Sequence, residues 1–199
     1  MRSERISLSK NMKTVIINGS PRKQGDTVFL INQLVKDLKG EVVLVNTYYD
    51  DIKPCYDCRY CWTNTRCCIN DKMQTIFEHL YDVDNIVIAS PLYFSQLTGS
   101  LLNFASRLQF LYVSRCIKKD DLFSRISPKR GVVIFVGGGD TKCTDTAVDT
   151  AKTLLRQMNA NLVEVVFSLE TETIPSNEDA LAIEKVCKIA EMLNRGVAI

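Results

Sequence analysis

Residues 14–38 read TVIINGSPRKQGDTVFLINQLVKDL, and the change of pattern inside this stretch decides the fold. Thr14 to Gly19 is a short run rich in Val and Ile and closed by a turn residue, the signature of a strand buried on both faces. Further on the period becomes helical. Val28, Ile31, Leu34, Val35 and Leu38 fall on one stripe, and Gly40 stops it.

The same alternation continues along the chain. Further strands are expected at EVVLVN (Glu41 to Asn46), NIVIAS (Asn85 to Ser90), GVVIFVG (Gly131 to Gly137) and NLVEVVF (Asn161 to Phe167). Between them lie helical stripes through Met73, Ile76, Phe77, Leu80 and Tyr81, and through Val148, Ala151, Leu155 and Met158. One helix is expected over Thr98 to Leu111, with Leu101, Phe104, Leu108 and Leu111 inward. A last stripe runs through Ile183, Val186, Cys187, Ala190 and Leu193, with a start signal at Ser176 and Asp179 and a stop at Gly196. Strand–helix alternation with right-handed crossovers gives a doubly wound α/β sandwich. Five parallel strands make the flavodoxin-like order 2-1-3-4-5 the expected topology, in one domain. Val113 to Arg130, with its KKDD run, reads as a solvated connection.

Composition narrows the class. The chain has 199 residues, 46% hydrophobic and 24% charged, with a formal net charge of +2. A globular chain of this length buries roughly 70% of its unfolded surface, so it folds without disulfides. No long single-sign block occurs, which argues against nucleic-acid and membrane-surface partners. The opening MRSERISLSKNM lacks the apolar core of a secretory signal, and runs such as Val132 to Val136 are far short of a membrane span. The expectation is a cytoplasmic protein whose thiols stay reduced, which weakens any disulfide-knot reading of its eight cysteines.

In an open sheet of this kind ligands bind outside the carboxyl ends of the strands. The loop after the first strand, GSPRKQGDT (Gly19 to Thr27), runs directly into a helix, whose exposed amides and positive dipole end suit an anion. Ser20 and Thr27 can add hydroxyl donors, Arg22 or Lys23 charge, and Gly25 a tight turn, while Asp26 can act as helix cap. The loop is neither a Walker motif nor GxGxxG. After the third strand, SPLYFSQLTG presents Pro91, Leu92 and two aromatics, Tyr93 and Phe94, apt for stacking on a flat ring. After the fourth, VGGGDTK offers Gly138 and Gly139, where backbone amides can approach a ligand closely. A phosphate cradle, an aromatic loop and a glycine loop on one edge together describe a site for FMN.

These residues resemble the NADPH-dependent FMN reductases and their relatives, the multimeric flavodoxins and iron–sulfur flavoproteins. The resemblance is carried by GSPRKQGDT, by PCYDCRYCWTNTRCCINDKM, by DNIVIASPLYFSQLTGSLLNFASRLQFL and by the closing helix. It covers most of the chain from Met12 onward, so residues 1–11 are expected to be an N-terminal extension and 12–199 the FMN-binding domain. It implies that Ser20, Arg22, Gly25 and Thr27 hold the FMN phosphate, that Pro91, Leu92, Tyr93 and Phe94 lie along the ring, and that Gly138 and Gly139 complete the edge. It also implies a homodimer or homotetramer. Asp26 stands where relatives often carry Asn, and a carboxylate facing a phosphate is repulsive unless it caps the helix or pairs with Arg22 or Lys23. Leu102 and Ala105-Ser106 also depart from the pattern, which bears on partner contacts and leaves the flavin site alone.

Residues 55–68, CYDCRYCWTNTRCC, hold five of the eight cysteines. Cys55, Cys58, Cys61 and Cys67 have a spacing that can wrap a [4Fe–4S] cluster, with Cys68 competing with Cys67 for the fourth corner. Cluster-free flavin reductases share the spacing and the following Trp62. Zinc lacks its usual two separated knuckles, and free thiols or a reversible redox pair complete the alternatives. Cys116, Cys143, Cys187 and the lone His79 read as structural or surface residues.

Three functions remain open. The first is an FMN-dependent NAD(P)H oxidoreductase passing electrons to a quinone, flavin, ferric or nitro compound. There the flavin carries the chemistry, and no side-chain acid–base pair is needed. The second is an iron–sulfur flavoprotein exchanging electrons with a redox protein through a cluster, and the third is a flavin-binding regulatory module.

Overall fold

The computed structural model of the chain describes residues 11–138 and 144–195. Five strands, β1 (Lys13–Asn18), β2 (Glu41–Asn46), β3 (Asn85–Pro91), β4 (Lys129–Gly137) and β5 (Ala160–Leu169), form one all-parallel sheet in the order β2-β1-β3-β4-β5. The helices are α1 (Asp26–Asp37), α2 (Met73–His79), α3 (Gly99–Ser106), α4 (Gln109–Tyr112), α5 (Asp145–Gln157) and α6 (Ala180–Leu193). The expected flavodoxin-like order is the observed one. The strand order reverses between β1 and β3, where loops diverge and leave a crevice.

The apolar runs are continuous because the sheet is covered on both sides. Val15, Ile17, Ile86, Ile88, Val133 and Phe135 face a core completed by Met73, Ile76, Leu101, Phe104 and Leu155. Their sequence neighbours Ile16, Val87, Ala89, Val132, Ile134 and Val136 face the other side, against Leu30, Leu34, Val186, Ala190 and Leu193. Each Val, Leu, Ile, Phe or Met side chain among them contributes about 1.5–3 kcal/mol of burial free energy. Gly40 closes the turn into β2 at φ 94°, where a β-carbon would lie 2.0 Å from the Met12 carbonyl oxygen. The position therefore requires glycine.

Four expectations need correction. The stripe of α1 is rotated: Thr27, Leu30, Ile31 and Leu34 are buried while Val35 is exposed, because α1 packs on α6 as well as on the sheet. The single helix expected over Thr98 to Leu111 breaks after Ser106 into α3, α4 and a π-helical turn, Val113–Lys118. The break falls at Arg107, whose side chain is drawn inward. The last helix starts at Ala180 with Asp179 as its cap, accepting from the Ala182 amide at 3.0 Å. Ser176 instead is buried against Ser168, and Gly196 lies outside the described residues. Finally, Val113 to Arg130 is more than a solvated connection, since Leu122 and Ile126 enter the core. Among the described residues no helix is long and apolar enough to cross a membrane.

Candidate active site

The turn after β1 is held in shape from within. The Gly19 amide donates to the Ala89 carbonyl at 2.8 Å, and the Thr98 hydroxyl donates to the Gly19 carbonyl at 2.8 Å. The Ser20 amide donates to Asn18 Oδ1 at 2.9 Å, and Ser20 Oγ accepts from the Arg22 amide at 3.2 Å. The Tyr49 hydroxyl donates to the Pro21 carbonyl. The turn therefore reaches α1 already ordered, with Ser20 and Thr27 buried. Gly25 is the N-cap residue of α1 and no side chain caps the first turn, so its amides stay available to an anion. Gly25 itself is extended (φ 165°), so the expected tight glycine turn is absent and the conformation is open to other residues.

Asp26 does not behave as expected either. It neither caps α1 nor needs a basic partner: its Oδ1 accepts from the Ser176 amide at 2.8 Å, tying α1 to the segment after β5. This bond satisfies one carboxylate oxygen.

A cavity of about 450 Å³ opens at this edge, within the range of small-molecule sites. Ser20, Arg22, Gly25, Asp26, Thr27, Pro91, Leu92, Tyr93 and Gly138 line it together. Lys23 lies outside its wall, with its ammonium over the Tyr49 ring at 5.1 Å. Phe94 is also outside it and fully exposed. Tyr93 and Gln96 exchange two backbone hydrogen bonds, at 2.9 and 3.0 Å, across a two-residue turn whose central residues, Phe94 and Ser95, both have positive φ. That turn geometry points the Phe94 ring outward at a cost of about 1–2 kcal/mol per left-handed residue. Gly139 lies outside the described residues.

Sequence reasoning missed a fourth wall. Thr171 and Glu172, just after β5, line the cavity beside Gly137 and Gly138. The Thr171 amide donates to the Gly137 carbonyl at 3.1 Å. A β-carbon on Gly138 would lie 2.7 Å from Glu172 Oε1, so this approach needs glycine or a displaced Glu172. The stretch ETETIP carries no motif; its position after the fifth strand was the only signal.

The cysteine loop forms a second site, anchored by the buried Arg107. Its Nη1 donates to the Lys53 carbonyl at 3.0 Å and to Asp71, and its Nη2 donates to Cys67 Sγ at 3.3 Å and the Ile69 carbonyl at 3.4 Å. Burial alone would lower the Arg107 pKa, but Asp71 and the Cys67 sulfur outweigh it and hold it above the usual value. Ser106 Oγ accepts from the Cys55 amide at 2.9 Å. Helix α3 thus begins at the Gly19 turn and ends at the cysteine loop, a span of about 12 Å for eight residues.

Cys55, Cys58, Cys61, Cys67 and Cys68 line one cavity of about 120 Å³, opposite Trp62, Phe110, Val113 and Ile117. Burial, then the neighbouring Cys67, pushes the Cys61 thiol up. Cys58 and Cys68 touch, Sγ to Sγ 3.2 Å, and the Tyr56 hydroxyl lies 3.4 Å from Cys68 Sγ. That contact, with the charge of both thiols, pushes Tyr56 up to about 12. Among the described residues no three His, Cys, Asp or Glu side chains converge on a single ion. A [4Fe–4S] centre makes a different demand, one thiolate per iron around a shared space. The ring of cysteines fits that demand, and Arg107 adds to it: its buried Nε has no hydrogen-bond partner. Within the ring Cys58 and Cys68 are in contact with each other, whereas Cys67 accepts from Arg107.

A sequence profile of the NADPH-dependent FMN reductase family matches residues 12–173. An iron–sulfur flavoprotein of Methanocaldococcus jannaschii is 28% identical over 93 residues, 45% of this chain and 48% of that protein. The chain spans about half the length of such curated relatives. A Bacillus subtilis protein named as an NAD(P)H-dependent FMN-containing oxidoreductase is 28% identical over 131 residues, 66% of this chain and 70% of its own. The solved NAD(P)H:quinone oxidoreductase of Methanothermobacter marburgensis superposes with a TM-score of 0.70 at 11% identity, covering 95% of this chain and 99% of that one. At that identity the likeness speaks to the fold.

Proposed function

The chain belongs to the NADPH-dependent FMN reductase family, and from that premise we propose that it is an FMN-dependent oxidoreductase. Its donor would be NADH or NADPH, and its acceptor a small molecule such as a quinone, free flavin, ferric complex or nitro compound. The observation that carries this reading is the cavity shared by the uncapped start of α1, the half-exposed Tyr93 and the close approach at Gly138.

Bound FMN would supply the redox chemistry, accepting hydride from a nicotinamide and passing electrons to the acceptor. The protein's share is binding and orientation. The first-turn amides of α1, the Thr27 hydroxyl and Arg22 suit the phosphate, while Ser20 keeps the turn closed around it. Pro91, Leu92 and Tyr93 suit one side of a flat ring, and Gly137 and Gly138 admit backbone contact at its edge. The outward Phe94 suits an acceptor or a second copy of the chain, in a homodimer or homotetramer. We further take residues 12–199 as one FMN-binding domain acting in the cytoplasm and 1–11 as an extension; the profile match beginning at residue 12 supports that division. Anaerobic addition of NADPH to the flavin-loaded protein tests the reading. Bleaching of the flavin band supports it, and a band that NADH and NADPH both leave unchanged contradicts it.

A second reading is favoured by the unpartnered Arg107 Nε and by relatives named iron–sulfur flavoproteins. In it Cys55, Cys61, Cys67 and one of Cys58 and Cys68 would hold a [4Fe–4S] cluster supplying one-electron transfer to a redox protein. Iron and sulfide in equal amounts on protein purified without oxygen would support it; flavin peaks alone would contradict it.

A further inference from the structure

We propose that Cys58 and Cys68 form a redox-active pair that exchanges with small disulfides, and that the disulfide form of the loop and a cluster-bearing form exclude each other. The pair stands apart from the other cysteines by position. Cys58 and Cys68 are exposed, whereas Cys55, Cys61 and Cys67 are partly buried. Their sulfurs are 3.2 Å apart, and a bond of about 2.05 Å needs only a small further approach by side-chain rotation.

The backbone is set for this contact. Cys58 sits between Asp57 and Arg59, both left-handed at φ 51° and 56°, and that turn carries Cys58 over Cys68 ten residues on. Non-glycine residues persist in such conformations only when their surroundings impose them. Here both ends of the loop are fixed, through Ser106 at the Cys55 amide and Arg107 at Cys67. The Tyr56 hydroxyl, 3.4 Å from Cys68 Sγ, can donate to a thiolate there. That marks Cys68 as the attacking sulfur and Cys58 as the resolving one.

The exchange balances without a further reactant. The Cys68 thiolate attacks a small disulfide, forming a mixed disulfide and releasing one thiolate. The Cys58 thiolate then attacks the Cys68 sulfur, closing the Cys58–Cys68 bond and releasing the second thiolate. The two protein thiols lose two protons and two electrons, and the small disulfide takes them up as two thiols. The closed form leaves Cys55, Cys61 and Cys67 at the cavity, one short of the four that a [4Fe–4S] centre uses.

The test uses the full chain with oxidised glutathione as probe, over a range of glutathione ratios, followed by alkylation and peptide mapping. The expected result is a Cys58–Cys68 cross-linked peptide that dithiothreitol reverses, with Cys55, Cys61 and Cys67 still alkylated. Cys58→Ser should trap Cys68 as a stable glutathione mixed disulfide. Iron and sulfide reconstitution should then load the reduced protein at least tenfold more than the oxidised protein. Cys58 and Cys68 both alkylated at every ratio, or cross-linked to other cysteines, overturns the pair. Equal iron uptake by the two forms, or none by either, overturns the exclusion. FMN retention on the same samples reports separately on the oxidoreductase reading.

Discussion

Arg107 and Asp71 form an ion pair from which solvent is fully excluded, with both side chains at 0% exposure. Asp71 also accepts from the Lys53 amide at 3.0 Å and the Met73 amide at 3.1 Å, so one carboxylate gathers the start of the cysteine loop, its end and α2. The pair thus ties both ends of the cysteine loop to the core.

Removing one partner of a buried pair strands the other charge, at about 3–5 kcal/mol. Arg107→Met should therefore lower stability by that amount in urea unfolding and speed alkylation of Cys67, while Arg107→Met with Asp71→Leu should recover part of the loss. A single variant within 1 kcal/mol of the parent would show that the pair does not organise the loop.

Asp26→Asn should bind FMN several-fold more tightly than the parent at low salt. The amide oxygen can still accept from Ser176, and the carboxylate charge near the phosphate turn is gone. Because the effect is electrostatic, it should shrink as salt is raised. Titrations showing weaker binding would mean that the charge serves the site.

Lys129 provides a pH signature independent of the flavin. Burial, only partly countered by Asp84 and Asp82, lowers its pKa to about 8 from the usual 10.5. Below pH 8 the ammonium is charged in both folded and unfolded chains and the burial penalty is complete. Between pH 8 and 10.5 the unfolded chain binds more protons, so this group's contribution to stability rises with pH, by roughly 3 kcal/mol in all. Unfolding free energies of Lys129→Met should lack that rise, and parallel profiles for the two proteins would contradict the assignment.

The sheet was legible because its strands are covered on both faces, and runs such as Val132 to Val136 have no other stable placement. The phosphate turn was legible because it follows the first of those runs. The rest depended on contacts between distant segments. Nothing local distinguishes Thr171 and Glu172, which join the cavity only because β5 lies beside β4. Arg107 falls off the inward stripe of the helix expected over Thr98 to Leu111, yet it is buried across the cysteine loop and marks where that helix breaks. The contact between Cys58 and Cys68 rests on two left-handed residues, Asp57 and Arg59, that neither period nor propensity announces.

The central claim is that the turn from β1 into α1 grips a phosphate, and calorimetric titration of flavin-free protein with FMN and with riboflavin, which lacks that phosphate, tests it most directly. Two hydrogen bonds to a charged group, at about 1.5–3 kcal/mol each, predict that FMN binds at least about 100-fold more tightly. Equal affinities for the two flavins would contradict the account.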